Sequence, residues 1–183
     1  MNYFNLKESI IDEATWQTIL KYEKSAKYNT YVTEKGTVTQ LQAALAYPSE
    51  ESQQNASDPL NILLSKFNSK LVMNEEKILT FIKFNEGGGI FPHTDDARKR
   101  STTFAWAVNL DSKYFLPILF HDPEDRSKIV DKGYYKPEGI VFNTQKVHSV
   151  EPSERKRVSF QISFSNPIEE VHELYMNGVL FND

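Results

Sequence analysis

The sequence predicts an α+β protein, mainly β, with a double-stranded β-helix (jelly-roll) core, packed N-terminal helices and a short C-terminal helix. Three observations lead there. Apolar residues recur at helical spacing in the first third of the chain, at Trp16, Ile19 and Leu20 and again from Leu60 to Leu71. From Lys77 onward the chain breaks into short segments rich in β-branched and aromatic residues, separated by Gly, Pro, Asp and Asn clusters. One more helical stretch, "NPIEEVHELYMNG", closes the chain. Helices, then many strands, then a helix indicate a sandwich or barrel packed against helices, and short strands of this kind match a jelly roll.

Each element has a local reason. Asp12 is an N-cap for the first helix. In "SDPLNILLSKFNSKL", Asp58 stands at N-cap and Pro59 at the first helical position, while Leu60, Leu63, Leu64, Phe67 and Leu71 share one face. Residues 47–58 are polar and turn-rich, a surface loop; residues 31–46 carry no clear pattern. The strands are "KILTFIKF", "TTFAWAVNL", "YFLPILF", "GIVFNTQ" and "RVSFQISF", with two or three weaker ones between them. Asn166 and Pro167 open the last helix and Gly178 ends it. The 183 residues make one domain, with helical support over about 1–75, a jelly-roll core over about 77–165 and the C-terminal helix over about 167–177.

Composition narrows the chemistry. The chain has no Cys, which excludes disulfides, thiolate nucleophiles and Cys-based zinc or iron–sulfur sites, and fits a reducing cytoplasm. A net charge of −4 gives no global reason to expect nucleic-acid or membrane binding. No apolar run approaches the roughly 18–20 residues that cross a bilayer, and "MNYFNLKESIIDE" is not a secretory signal. Any metal must therefore be held by His, Asp and Glu, and there are only 4 His.

His93 and Asp95, in "GGGIFPHTDDARKR", stand two apart and point to one side of an extended segment. They make two corners of a two-His-one-carboxylate triad, and His148, next to the strand "GIVFNTQ", is placed to make the third. The alternative for H-x-D is a solvated surface turn. His121 reads as a loop residue and His172 as a surface or boundary residue of the last helix. Nine residues after His148 comes Arg157, on a strand with Arg157, Ser159, Gln161 and Ser163 on one face and Val158, Phe160, Ile162 and Phe164 on the other. Pattern alone favours the polar row in water; the other reading places it at a barrel mouth, where the guanidinium clamps a carboxylate. In "TTFAWAVNL" the small row, Thr103, Ala105 and Ala107, would leave room for a ligand while Phe104, Trp106 and Val108 pack on the helices.

These residues together, "FNEGGGIFPHTDD" with "FNTQKVHSVEPSERKRVSFQISF", resemble the 2-oxoglutarate and iron(II)-dependent oxygenases, in particular the prolyl-hydroxylase-like group. The likeness covers about residues 77–165. It implies that His93, Asp95 and His148 bind Fe(II), that Arg157 binds the far carboxylate of the cosubstrate 2-oxoglutarate, and that O2 is consumed with release of succinate and CO2; it also brings ascorbate into view as an accessory. The group usually places a tyrosine near the cosubstrate on the strand after H-x-D. That strand has none here, so Thr103, Ser159 or a tyrosine from elsewhere would take its place.

The expected activity is hydroxylation of an amino-acid side chain, proline in a peptide or protein or a free amino acid, so the partner is a small-molecule or peptide/protein substrate. The "GGGIFPHTD" stretch also resembles aspartyl/asparaginyl hydroxylases. The basic runs at 97–100 and 154–157 raise nucleobase demethylation, but acidic flanks and the negative net charge argue against nucleic acid. A non-catalytic jelly-roll binding module is the reading from another class, against which stands the complete set of His93, Asp95, His148 and Arg157. The sequence is silent on oligomeric state.

Overall fold

The computed structural model describes residues 1–31, 38–73, 79–95, 100–108 and 116–182. The chain starts with β1 (Tyr3–Asn5) and α1 (Glu13–Ser25), where the Asp12 carboxylate accepts from the Thr15 backbone N–H. β2 (Asn29–Tyr31) and β3 (Val38–Leu45) follow, then α2 (Glu50–Gln54) and α3 (Pro59–Ser65). The core strands are β4 (Leu79–His93), β5 (Thr102–Ala107), β6 (Ile118–His121), β7 (Ile129–Gly133), β8 (Ile140–Asn143), β9 (His148–Val150) and β10 (Arg157–Phe164), and α4 (Ile168–Met176) closes the chain.

The region expected to be helical support thus also supplies three strands, and the polar 47–58 loop contains α2. α3 stops at Ser65, before the predicted Leu71. The C-terminal segment takes over its backbone groups: Asn182 N–H donates to Lys66 O, Asn68 N–H to Leu180 O, and Phe67 bridges to Phe181. Phe67 and Leu71 remain in the core, but on an irregular segment. Residues 97–99 of the basic run, and Asn109 and Leu110, lie outside the described residues.

Among the described residues the strands form one antiparallel sheet of order β1-β8-β5-β10-β4-β9-β6-β7, with β3 also on β4 and β2 on β3. β4 makes this a two-layer structure. Its first half pairs with β10 and its second half with β9, so one continuous strand serves both layers. The two ends of the order then meet. Asn2 Nδ2 donates to Asp131 Oδ2 at 3.0 Å, and Tyr3 stacks on Phe120 at 5.9 Å. The result is the nearly closed barrel of a jelly roll.

Alternation divides the side chains as the strand patterns require. Phe104, Trp106, Val158, Phe160, Ile162 and Phe164 face outward onto a buried layer formed by Ile19, Leu60, Leu63 and Val171 of the helices. Ala105, Ile118, Phe120, Ile140 and Phe142 form a second cluster between the two layers. Both faces of β10 are buried, so the polar row Arg157, Ser159, Gln161, Ser163 is inside the barrel, not in water. Pattern alone misplaced it because a strand covered on one face by helices and on the other by a second sheet has no solvent face.

Candidate metal centre

β4 runs on past the predicted strand "KILTFIKF" through "GGGIFPH" to His93. Gly87 takes a left-handed φ of 73°, and Gly89 passes so near the β9–β10 loop that a Cβ would stand 2.7 Å from Val150 O. These glycines let β4 cross between layers and deliver His93 opposite His148.

His93, Asp95 and His148 converge, with one ligand atom from each lying within 4.8 Å of the others. The imidazoles of His93 and His148 sit with centroids 4.4 Å apart, and His93 Nε2 is 3.4 Å from Asp95 Oδ1. Each His places Nδ1 2.9 Å from the carbonyl oxygen two residues before it, Phe91 O and Lys146 O. A carbonyl can only accept, so Nδ1 carries the proton and Nε2 keeps its lone pair for a metal. Burial, with the neighbouring His93, pushes His148 down to about 4, which keeps it neutral and able to ligate at neutral pH.

The carboxylate is held from several directions. Burial opposes its charge, but His93 beside it, with Arg100 and His148 near, holds the Asp95 carboxyl below its ordinary value. Arg100 Nη1 stands 3.5 Å from Asp95 Oδ2. The turn after β8 fixes the backbone around them: Asp95 N–H donates to Thr144 O, Gln145 Nε2 to Asp95 O, and Thr144 Oγ1 to Arg100 O.

From these three residues a cavity of about 130 Å³ runs into the barrel between the apolar side chains of Ile82, Phe84, Ile118 and Phe142, and reaches Tyr135 and Gln161. Arg157 lies behind this wall, 1% exposed, its guanidinium 5.0 Å from the Phe84 ring centroid. Its Nη2 donates to Gly88 O and Glu151 O, while its buried Nε has no partner among the described residues. Ser159 accepts from Gln161 Nε2 at 3.1 Å. The Thr103 hydroxyl is engaged with Ser163 Oγ at 2.9 Å and is not part of the cavity wall.

Tyr135, absent from the residues picked out in the sequence, reaches in from the β7–β8 connection. Its hydroxyl bonds to the Ser159 side chain beside Arg157, and burial pushes the phenol up to about 12. Adjacent tyrosines in a turn, "GYYKPEG", give no sign of which one points inward. His121, read as a loop residue, ends β6, where its Nε2 lies 2.7 Å from Ser149 Oγ.

Fe(II) and a dicarboxylate fit these residues. Two imidazoles and a carboxylate suit a ferrous ion with open positions, and a buried, unpaired guanidinium N–H calls for an anion.

No family model matches the chain, and no curated protein sequence matches it. Solved structures do. A prolyl hydroxylase from Trichoplax adhaerens, in complex with a hypoxia-inducible-factor oxygen degradation domain peptide, superimposes with a TM-score of 0.57 at 13% identity, over 89% of this chain and 83% of that one. A prolyl-4-hydroxylase from Pseudomonas putida gives 0.52 at 14% identity, over 89% and 91%. An oxidoreductase of the 2OG-Fe(II) oxygenase family from Burkholderia pseudomallei gives 0.57 at 10% identity, over 89% and 84%. The chain has the fold of the 2-oxoglutarate/iron(II) oxygenases.

Proposed function

We propose that the protein is an iron(II)- and 2-oxoglutarate-dependent dioxygenase that hydroxylates an amino-acid side chain, proline in a peptide or protein or a free amino acid, and releases succinate and CO2. The observation that carries this reading is the convergence of His93, Asp95 and His148 at one end of a cavity whose other end is closed by Tyr135, in front of Arg157 with its unpaired Nε.

In this reading Nε2 of both histidines and Oδ1 of Asp95 hold the metal, and Arg100 steadies the second carboxylate oxygen. Arg157 receives the far carboxylate of 2-oxoglutarate, with the Tyr135 hydroxyl and Ser159 in the place for which Thr103, Ser159 or a tyrosine from elsewhere were the candidates. The aliphatic and aromatic walls lower the polarity of the inner part of the cavity, which strengthens each charge interaction there. The bound metal and cosubstrate supply the oxygen chemistry; the chain supplies geometry and shielding. The prolyl part of the proposal leans on the fold shared with the two prolyl hydroxylases. The test is a screen of free amino acids and proline-containing peptides, reading succinate. Formation of succinate that depends on Fe(II) and rises with one substrate class supports the proposal; none with any substrate, and none uncoupled, rejects it.

A further inference from the structure

The glycine bend of β4 and the loop between β9 and β10 are held together at three points. Gly87 N–H donates to Ser153 O at 2.7 Å. Gly89 lies so close to the loop that an added Cβ would stand 2.7 Å from Val150 O and 2.8 Å from Pro152 N. Nη2 of Arg157 then donates at 2.8 Å to one carbonyl on each side, Gly88 O and Glu151 O, with the guanidinium over Phe84. Beyond this joint the ladder between β4 and β9 has two partnered positions, Ile90↔Val150 and His93↔His148, with a register shift between them. The spacing of the two imidazoles therefore depends on how tightly the joint is closed.

We propose that Arg157 is a positioning residue for the metal centre as well as the receptor of a carboxylate: its guanidinium clasps the two backbone segments that carry His93 and His148, so that divalent-metal affinity depends on Arg157 with no cosubstrate bound. This rests on the reading of His93, Asp95 and His148 as metal ligands. It goes beyond a carboxylate clamp because the two roles use different atoms, Nη2 for the clasp and Nε for the ligand.

The sign of the effect separates the two. A buried cation in the same barrel repels a dication, so removal of a residue that only received carboxylate would leave metal affinity unchanged or raise it. Loss of a clasp lowers it, by roughly the 10–100-fold seen when groups that orient metal ligands are removed.

The test is Mn(II) binding without 2-oxoglutarate, followed through the electron paramagnetic resonance signal of the free ion, for the wild type, Arg157→Met, Gly89→Ala and Gly139→Ala. Gly89→Ala opens the joint while leaving the Arg157 charge in place, and so decides the matter if Arg157→Met does not fold. Gly139 lies against Trp106 on the helix side of the barrel, and its substitution controls for general destabilisation. Weaker binding in Arg157→Met and Gly89→Ala, with Gly139→Ala near wild type, supports the clasp. Undiminished binding in a folded Arg157→Met or in Gly89→Ala, or an equal loss in Gly139→Ala, overturns the clasp alone. No binding by the wild type overturns the metal reading and the clasp with it.

Discussion

His93 and His148 face each other across the β4–β9 ladder, and each has its Nδ1 tied to the backbone carbonyl two residues earlier. The same local device is used twice, on strands more than fifty residues apart in sequence, and it commits both rings to one tautomer before any metal arrives. It predicts that a ligand substitution removes metal without unfolding the chain. His93→Ala should lose Mn(II) or Fe(II) binding in calorimetry while its far-ultraviolet circular dichroism matches the wild type.

Tyr135 and Ser159 give the second prediction. Tyr135→Phe keeps the ring and removes the hydroxyl. A hydrogen bond to a charged group contributes about 1.5–3 kcal/mol, so affinity for 2-oxoglutarate should fall roughly 10–150-fold. Metal affinity should be unchanged. If 2-oxoglutarate binding is equally tight in the variant, Tyr135 does not touch the cosubstrate.

The same residue sets a pH dependence. Burial raises the Tyr135 phenol from 10.0 to about 12 in the folded protein. The fold favours the protonated form, so its contribution to stability is complete below pH 10 and is lost as pH rises through about 12. Urea unfolding of wild type and Tyr135→Phe at a series of pH values isolates this group. Above pH 10 the stability difference should move in favour of the variant, and a constant difference would contradict the assignment.

Gly139 has a φ of 113°, and a Cβ there would meet the Trp106 indole at 2.6 Å. Gly139→Ala combines a backbone conformation that side chains avoid with a collision against a buried ring. Strain of this kind costs on the order of 1–3 kcal/mol, to be seen as a lower midpoint in urea.

The three proposed metal ligands and Arg157 could be picked out from the sequence because each lies on or beside a strand whose period-two pattern shows which residues share a face. Phe104 and Trp106 were legible for the same reason, as large apolar residues that need a helical layer to cover them. Tyr135 was not, since its inward direction depends on closure of the barrel, where Gly133 packs against Tyr3 and Ile140. The extension of β4 through the glycine stretch was not legible either. Three glycines lower strand propensity, but Gly87 takes a positive φ, a Cβ at Gly89 would meet Val150 O, and the ladder carries the strand through. The end of α3 was hidden because the competing partner for its backbone is more than a hundred residues away.

The central claim is that one site binds Fe(II) through His93, Asp95 and His148 and 2-oxoglutarate through Arg157. An anaerobic titration of the protein with Fe(II) and then 2-oxoglutarate tests it most directly. A weak visible charge-transfer band should appear only when both are present, vanish in His93→Ala, and need more 2-oxoglutarate in Arg157→Ala. No band in the wild type, or an undiminished band in His93→Ala, would contradict the claim.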